Sequence, residues 1–188
     1  MKKLIIKTIA LTSVILLVLT VGLYLLLAYC FPSVLSNWYF NLQNESLTLK
    51  YSEKSYQTSG DVFDLCLLTE RSIVFDNDEA VLKHATELIN HDNYDEVLSK
   101  KGNSYHYYIV GSLCQAQYIM GSKAVAIETA FSNTLVYTEQ NPVHRLIVLS
   151  AREDDVDTLK TIKQKLTERQ DKNNLLESHL ALIEQLIN

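Results

Sequence analysis

Histidine, cysteine and clustered carboxylates are the side chains through which this sequence could hold a metal or move protons, and their spacing favours other roles. The histidines stand at 84, 91, 106, 144 and 179. None forms a His-x-x-x-His pair, which would set two imidazoles on one helical face, and none combines with cysteines into a zinc set. His84 and His91 are seven apart, two turns of one helix only if that helix ran on past Asn90. Cys30 lies inside an apolar run. Cys66 and Cys114 each sit within an apolar helical stretch, where a thiol packs as a small hydrophobe. A disulfide between those two stays open as the alternative in an oxidising compartment.

Carboxylates gather at Asp76–Glu79, Asp92–Glu96 and Glu153–Asp157. A calcium loop needs a central Gly and a closing Glu at fixed spacing, which none of them has. Each cluster instead precedes a helical pattern, where carboxylates cap free N–H groups and meet the positive end of the helix dipole. Gly-x-Ser-x-Gly, Walker-type and Gly-x-Gly-x-x-Gly loops do not occur, and five Gly in 188 residues leave little room for a phosphate cradle. No metal and no cofactor is expected, and the chain does not read as an enzyme.

With so little chemistry to position, the elements become the informative part. Thr8 to Phe31 is a run of 24 residues without a charge, long enough as a helix to cross the roughly 30 Å hydrocarbon core of a bilayer. Secretory signal cores are shorter, at about 7–15 residues, so a retained anchor is expected rather than cleavage near Val34-Leu35-Ser36. A lipid-modified Cys30 is disfavoured by the bulky Tyr29 before it. Lys2, Lys3 and Lys7 precede the run, and the first basic residue after it is Lys50. Positive charge is kept on the cytoplasmic side, which sets residues 1–7 inside and exports everything after 31. Trp38, Tyr39 and Phe40 suit an aromatic belt at the headgroups. The 17 basic residues less these three lysines leave 14 against 22 acidic ones, so the remainder carries −8. Such a domain has no long-range pull on phosphate backbones, and nucleic acid is excluded as a partner.

Beyond the span the apolar period is 3.6 throughout, and Gly and Pro are too few for the turns of a sandwich or barrel. Residues 32–60 read as a juxtamembrane linker with a helix over Leu47–Gln57, and 61–188 as a helical-hairpin domain. Val62–Phe75 is apolar nearly all round, and Glu79–Asn90 is an amphipathic partner. After a short helix near Tyr94–Lys100 the pattern returns with Tyr105–Met120 and Lys123–Tyr137, then with Val143–Ala151 and Leu159–Gln170. Leu175–Ile187 closes the series. The turns between partners lie roughly 44 and then 33 residues apart. An inner helix covered on two sides needs a wide apolar surface and an outer one only a stripe, which accounts for the alternation. The fold class is therefore all-α: one N-terminal transmembrane helix, then an antiparallel α-hairpin array or an irregular helical bundle.

From Leu113 through Met120-Gly121 to Ala126-Ile127 the chain resembles tetratricopeptide-like helical-hairpin repeats, with a Gly closing one helix and an Ala-Ile pair in the next. Phe131 and Pro142 stand displaced from the family's aromatic and proline. Asp78–Ile89 and Asp155–Leu166 share the helix pattern alone, and the resemblance spans Val62–Gln170. It implies a superhelical scaffold that binds peptides or proteins on its inner face. On Tyr105–Met120, one face (Tyr105, Tyr108, Ile109, Leu113, Ala116, Ile119, Met120) is expected in the core. The opposite side, with His106, Tyr107, Gly111, Gln117 and Tyr118, mixes aromatic and polar groups as contact surfaces do, and these five are the expected partner-binding residues. The function expected is a membrane-tethered extracytoplasmic scaffold for a protein or peptide partner, held to the lipid bilayer by its anchor. The alternatives are a small structural subunit that assembles through its transmembrane helix, where Gly22 and the hydroxyls of Thr12, Ser13 and Thr20 could pack, and an uncharacterised enzyme.

Overall fold

Alternation of 3.6-period stripes with capped turns produces eleven helices and no strand among the described residues. The computed structural model describes residues 2–133, 141–169 and 173–187, with side chains from Lys7 onward. Tyr137 and Gln170, expected as helix ends, lie outside them. The helices are α1 Lys2–Cys30, α2 Pro32–Asn41, α3 Glu45–Ser59, α4 Val62–Val74, α5 Asp78–Ile89, α6 Tyr94–Lys101, α7 Asn103–Ile119, α8 Lys123–Ser132, α9 Pro142–Arg152, α10 Val156–Thr167 and α11 Asn174–Ile187. They form two compact units, Met1–Arg71 and Ser72–Asn188, which divide within α4.

In the first unit, α1 is long and apolar enough to cross a membrane: the stretch Lys7–Cys30 has a mean hydropathy of 2.6. Two of its threonine hydroxyls bond back to the helix itself. Thr12 donates to the Thr8 carbonyl at 2.9 Å and Thr20 to that of Leu16 at 2.8 Å. The segment expected as a linker holds a helix of its own, α2, started by Pro32 at its first position, where a missing N–H costs nothing. α2 and α3 pair, and Ala28, Leu35 and Tyr51 bury together where they meet the end of α1. A polar layer lies beneath. Arg71, 3% exposed, donates to the hydroxyls of Ser36 and Ser52 and to the side-chain oxygen of Asn37. Its guanidinium also lies 5.4 Å from the Phe40 ring centroid. Burial lowers the Arg71 pKa, opposed by Asp64 and Glu70, but an arginine remains charged. This buried cation, in the last turn of α4, ties that helix to α2 and α3.

In the second unit, α7 is the central helix, in contact with α5, α6, α8 and α9. Next, α9 touches α8, α10 and α11. The core runs from Val110, Cys114 and Tyr118 through Ala126 and Ile127 to Leu146, Ile147, Ile162 and Ile183. α4 departs from expectation because its buried positions follow helical period rather than hydrophobicity. Val62, Leu65, Thr69 and Ser72 are buried, whereas Leu67 is half-buried and Val74 exposed.

Three helix–helix turns share one geometry. Asp76, Gly121 and Asp154 all have positive φ, at 51°, 85° and 51°. The next residue's N–H returns to a carbonyl five positions back, as Asn77 to Ser72 at 3.1 Å, Ser122 to Gln117 at 2.8 Å and Asp155 to Ser150 at 2.9 Å. These are Schellman closures. Asn77 and Asp155 then cap the following helix, accepting from the N–H groups of Ala80 and Thr158. A side chain is strained at such a φ, and Asp tolerates it better than most residues. Gly121→Ala is expected to cost about 1 kcal/mol, and Asp154→Gly to gain up to about 1 kcal/mol. Thermal melts of the two variants that move in the same direction would contradict this.

Candidate interaction surface

The α7 helix carries every residue expected to meet a partner, and the structure divides them. Tyr107 and His106 are half-buried. His106 faces Tyr94, whose hydroxyl lies 3.2 Å from Nδ1, and burial lowers the imidazole pKa against the opposing pull of a backbone bond to Asn133. Gly111, Gln117 and Tyr118 are buried, the last two at 7% and 4% exposure. The side read as a contact surface is therefore interior at these three positions. The cause is packing: α7 has neighbours on nearly every side, so its aromatic-and-polar face is covered too. The supposed core face is corrected at its other end, where Ile119 and Met120 are 52% and 50% exposed. They fall at the C-terminal end of α7, Ile119 as its last residue and Met120 as the cap after it.

Gly111 and Tyr118 each have an identifiable task, whereas the buried Gln117 side-chain oxygen finds no hydrogen-bond partner. A Cβ on Gly111 would stand 3.2 Å from Nε of Arg145, so the glycine is there to let the Arg145 side chain of α9 lie across α7. Arg145 then donates to the Ser112 hydroxyl at 2.9 Å. Tyr118 donates to Oδ2 of Asp155 at 2.8 Å, and the same oxygen accepts from Lys123 Nζ at 2.7 Å and Thr158 Oγ1 at 2.7 Å. Burial would raise the Asp155 pKa, but the bonds from Lys123, Thr158 and Tyr118 outweigh it and hold the carboxyl well below the usual carboxylate range. One carboxylate thus joins α7, α8 and α10.

That arrangement carries a pH signature. A depressed folded pKa supplies stability that is complete above the unfolded value of about 3.9 and fades as pH falls through and below it. Asp155→Asn is expected to cost about 2 kcal/mol at neutral pH and to flatten the loss of helicity below about pH 4. Circular dichroism against pH checks both. An unchanged acid limb would remove Asp155 from this role.

Two histidines behave differently from expectation, and the cysteines as expected. His144 Nδ1 lies 2.7 Å from His179 Nε2, and His179 Nδ1 lies 2.8 Å from the Leu175 carbonyl. A carbonyl only accepts, so Nδ1 of His179 carries hydrogen and its Nε2 accepts from His144. Two histidines that look scattered in sequence join α9 to α11. None of the three cysteines forms a disulfide. Cys114 is buried, which pushes its thiol pKa up to about 12, so its role is packing. No group of three His, Cys, Asp or Glu side chains placed to hold a metal occurs among the described residues.

The surface left open lies at the ends of α7 and α9. Gln115, Tyr118 and Ile119 form one wall of a groove of about 580 Å³, and Leu149 and Arg152 the other, with Lys123 at its edge. Ile119 and, beside Leu149, Val148 (45% exposed) present apolar area to solvent. Only Tyr118 of the five expected residues reaches this groove. Ile119, Leu149 and Arg152 went unrecognised, because Ile119 and Leu149 look like core in a sequence and Arg152 like an ordinary helix-end cation. No family model, no curated protein and no solved structure matches the chain.

Proposed function

We propose that the chain is a membrane-tethered helical scaffold, held by α1 with residues 1–7 in the cytoplasm, whose second unit binds a protein or peptide segment outside it. The groove between the ends of α7 and α9 carries this reading, because it combines solvent-facing Ile119 and half-buried Leu149 with the Arg152 cation and the Glu153 carboxylate at the helix ends. Apolar area beside a polar anchor is what a peptide groove needs. The succession of contacts supports it as well. α7 meets its partner α8 and also α9, and α9 meets its partner α10 and also α11, as in tetratricopeptide-like arrays that bind along the first helices of successive pairs. The lysine asymmetry around α1 supports the topology.

Two measurements test the reading. A cysteine placed at exposed Ser104 should react in intact cells with a reagent that cannot cross membranes, and labelling only after lysis would reverse the topology. A photo-crosslinking residue at Ile119 should yield a partner adduct that Arg152→Glu abolishes, and adduct formation should survive removal of α1. Adducts that need α1 and ignore the groove would favour a subunit assembled through its transmembrane helix.

A further inference from the structure

The first unit has an apolar surface with no cover. Phe31, Val34, Trp38 and Leu42 recur at three- and four-residue intervals, the spacing of one helical face. They are 52%, 50%, 54% and 59% exposed. The face borders Leu35, which is 1% exposed against Ala28 and Tyr51. α2 has no charged residue, and the exposed amides of Asn37 and Asn41 beside the stripe need only the hydrogen-bond partners that headgroups and interfacial water supply.

The placement of α3 shows at which level this face lies. Tyr51 is in the middle of α3, and its hydroxyl is 2.5 Å from that of Tyr24. Lys54 Nζ sits 4.0 Å from the centroid of the Tyr29 ring, and Leu47 and Leu27 both pack against the cluster of Ala28, Leu35 and Tyr51. The α2–α3 hairpin is therefore folded down beside the last two turns of α1 instead of standing off its end. The 24 residues Lys7–Cys30 rise about 36 Å, some 6 Å more than the hydrocarbon core of a bilayer. That surplus is the last turn of α1, at headgroup depth. A hairpin beside the last two turns therefore reaches from that depth to the upper edge of the hydrocarbon. Exposed Lys50, with its amine 5.8 Å from the centroid of the Tyr51 ring, and Lys54 stand one turn apart on α3, where stems laid along apolar surface carry the amines up to lipid phosphates.

We infer that α2 and α3 form a lipid-seated base: the stripe Phe31, Val34, Trp38 and Leu42 enters the boundary between headgroups and acyl chains, and Lys50 and Lys54 take phospholipid phosphates. The occupant is the outer surface of the bilayer that α1 crosses, because the stripe is continuous with that helix. The inference rests on the anchoring reading above. An apolar helical face in the interface plane flanked by lysines is the form monotopic helices take.

Trp38 is the only tryptophan in the chain, so its emission reports the seat directly. The full chain is reconstituted in phosphatidylcholine vesicles containing a minority of phosphatidylglycerol. Flotation and resistance to alkaline extraction report α1 independently. In floated vesicles, Trp38 emission is expected to be blue-shifted, shielded from acrylamide, and quenched by lipids brominated near the headgroup end of the chain more than near the methyl end. Val34→Glu lies on the exposed stripe and leaves the packed side of α2 intact. It should return Trp38 to the aqueous quencher, and Lys50→Gln with Lys54→Gln should weaken the shielding. Acrylamide quenching without bromolipid quenching, in protein that floats, would overturn the seat and leave the anchor standing. Failure to float would end both. Shielding that appears only at high protein-to-lipid ratio, again without bromolipid quenching, would mean that a second copy covers the stripe, and would also overturn it.

Discussion

Tyr118→Ala is expected to lower the stability of the helical domain by about 3–5 kcal/mol, the usual cost of truncating a buried aromatic. Its ring is 4% exposed within the core that joins α7 to α9. The phenol also supplies one of the bonds that hold the Asp155 carboxylate. Tyr118→Phe isolates that second contribution and should cost about 1–2 kcal/mol, since Lys123 and Thr158 remain on the oxygen. Chemical denaturation of the chain in detergent micelles measures both. A Tyr118→Ala cost below about 1 kcal/mol would return the residue to the role of a surface contact.

The second large effect separates neighbours in one helix. Ile147 is 1% exposed and Val148 is 45% exposed. Ile147→Ala should cost about 2–5 kcal/mol, with a cavity in the core shared by α8, α9 and α10, whereas Val148→Ala should stay within about 0.5 kcal/mol. Leu68→Ala should likewise exceed Leu67→Ala, because Leu68 is fully buried and Leu67 is not. Equal costs within either pair would refute the assigned helix orientation.

Much of the architecture could be read from residue order. Stripes such as Val81, Leu82, Ala85 and Leu88 announce α5, and caps at Asn77 and Asp155 lie where the acidic clusters suggested helix starts. α2 escaped because Pro32-Ser33-Val34-Leu35-Ser36 has no charge and its stripe of Phe31, Val34, Trp38 and Leu42 merges with the apolar run before it, and only contact with α3 and the end of α1 makes it a packed element. Surfaces were harder to read. Hydrophobicity marks which residues tend to be buried but not which helix has neighbours on every side. The Tyr107–Tyr118 face therefore looked available, and Ile119 and Leu149 looked committed. Long-range polar partners are equally silent in sequence. Nothing about Asp155 announces Tyr118, and nothing about His144 announces His179.

The turns at Asp76, Gly121 and Asp154 use the same joint at three places, each closing on its own helix through backbone bonds. A joint that is complete in itself makes few demands on sequence elsewhere. It follows that the three connectors should be exchangeable: the residues of the Gly121 turn, transplanted to positions 153–155 with an acidic cap retained, should connect α9 to α10 as well as the native ones. By the same reasoning, a lineage of this chain could change its length by gaining or losing a whole helix pair at such a joint while the remaining pairs keep their register.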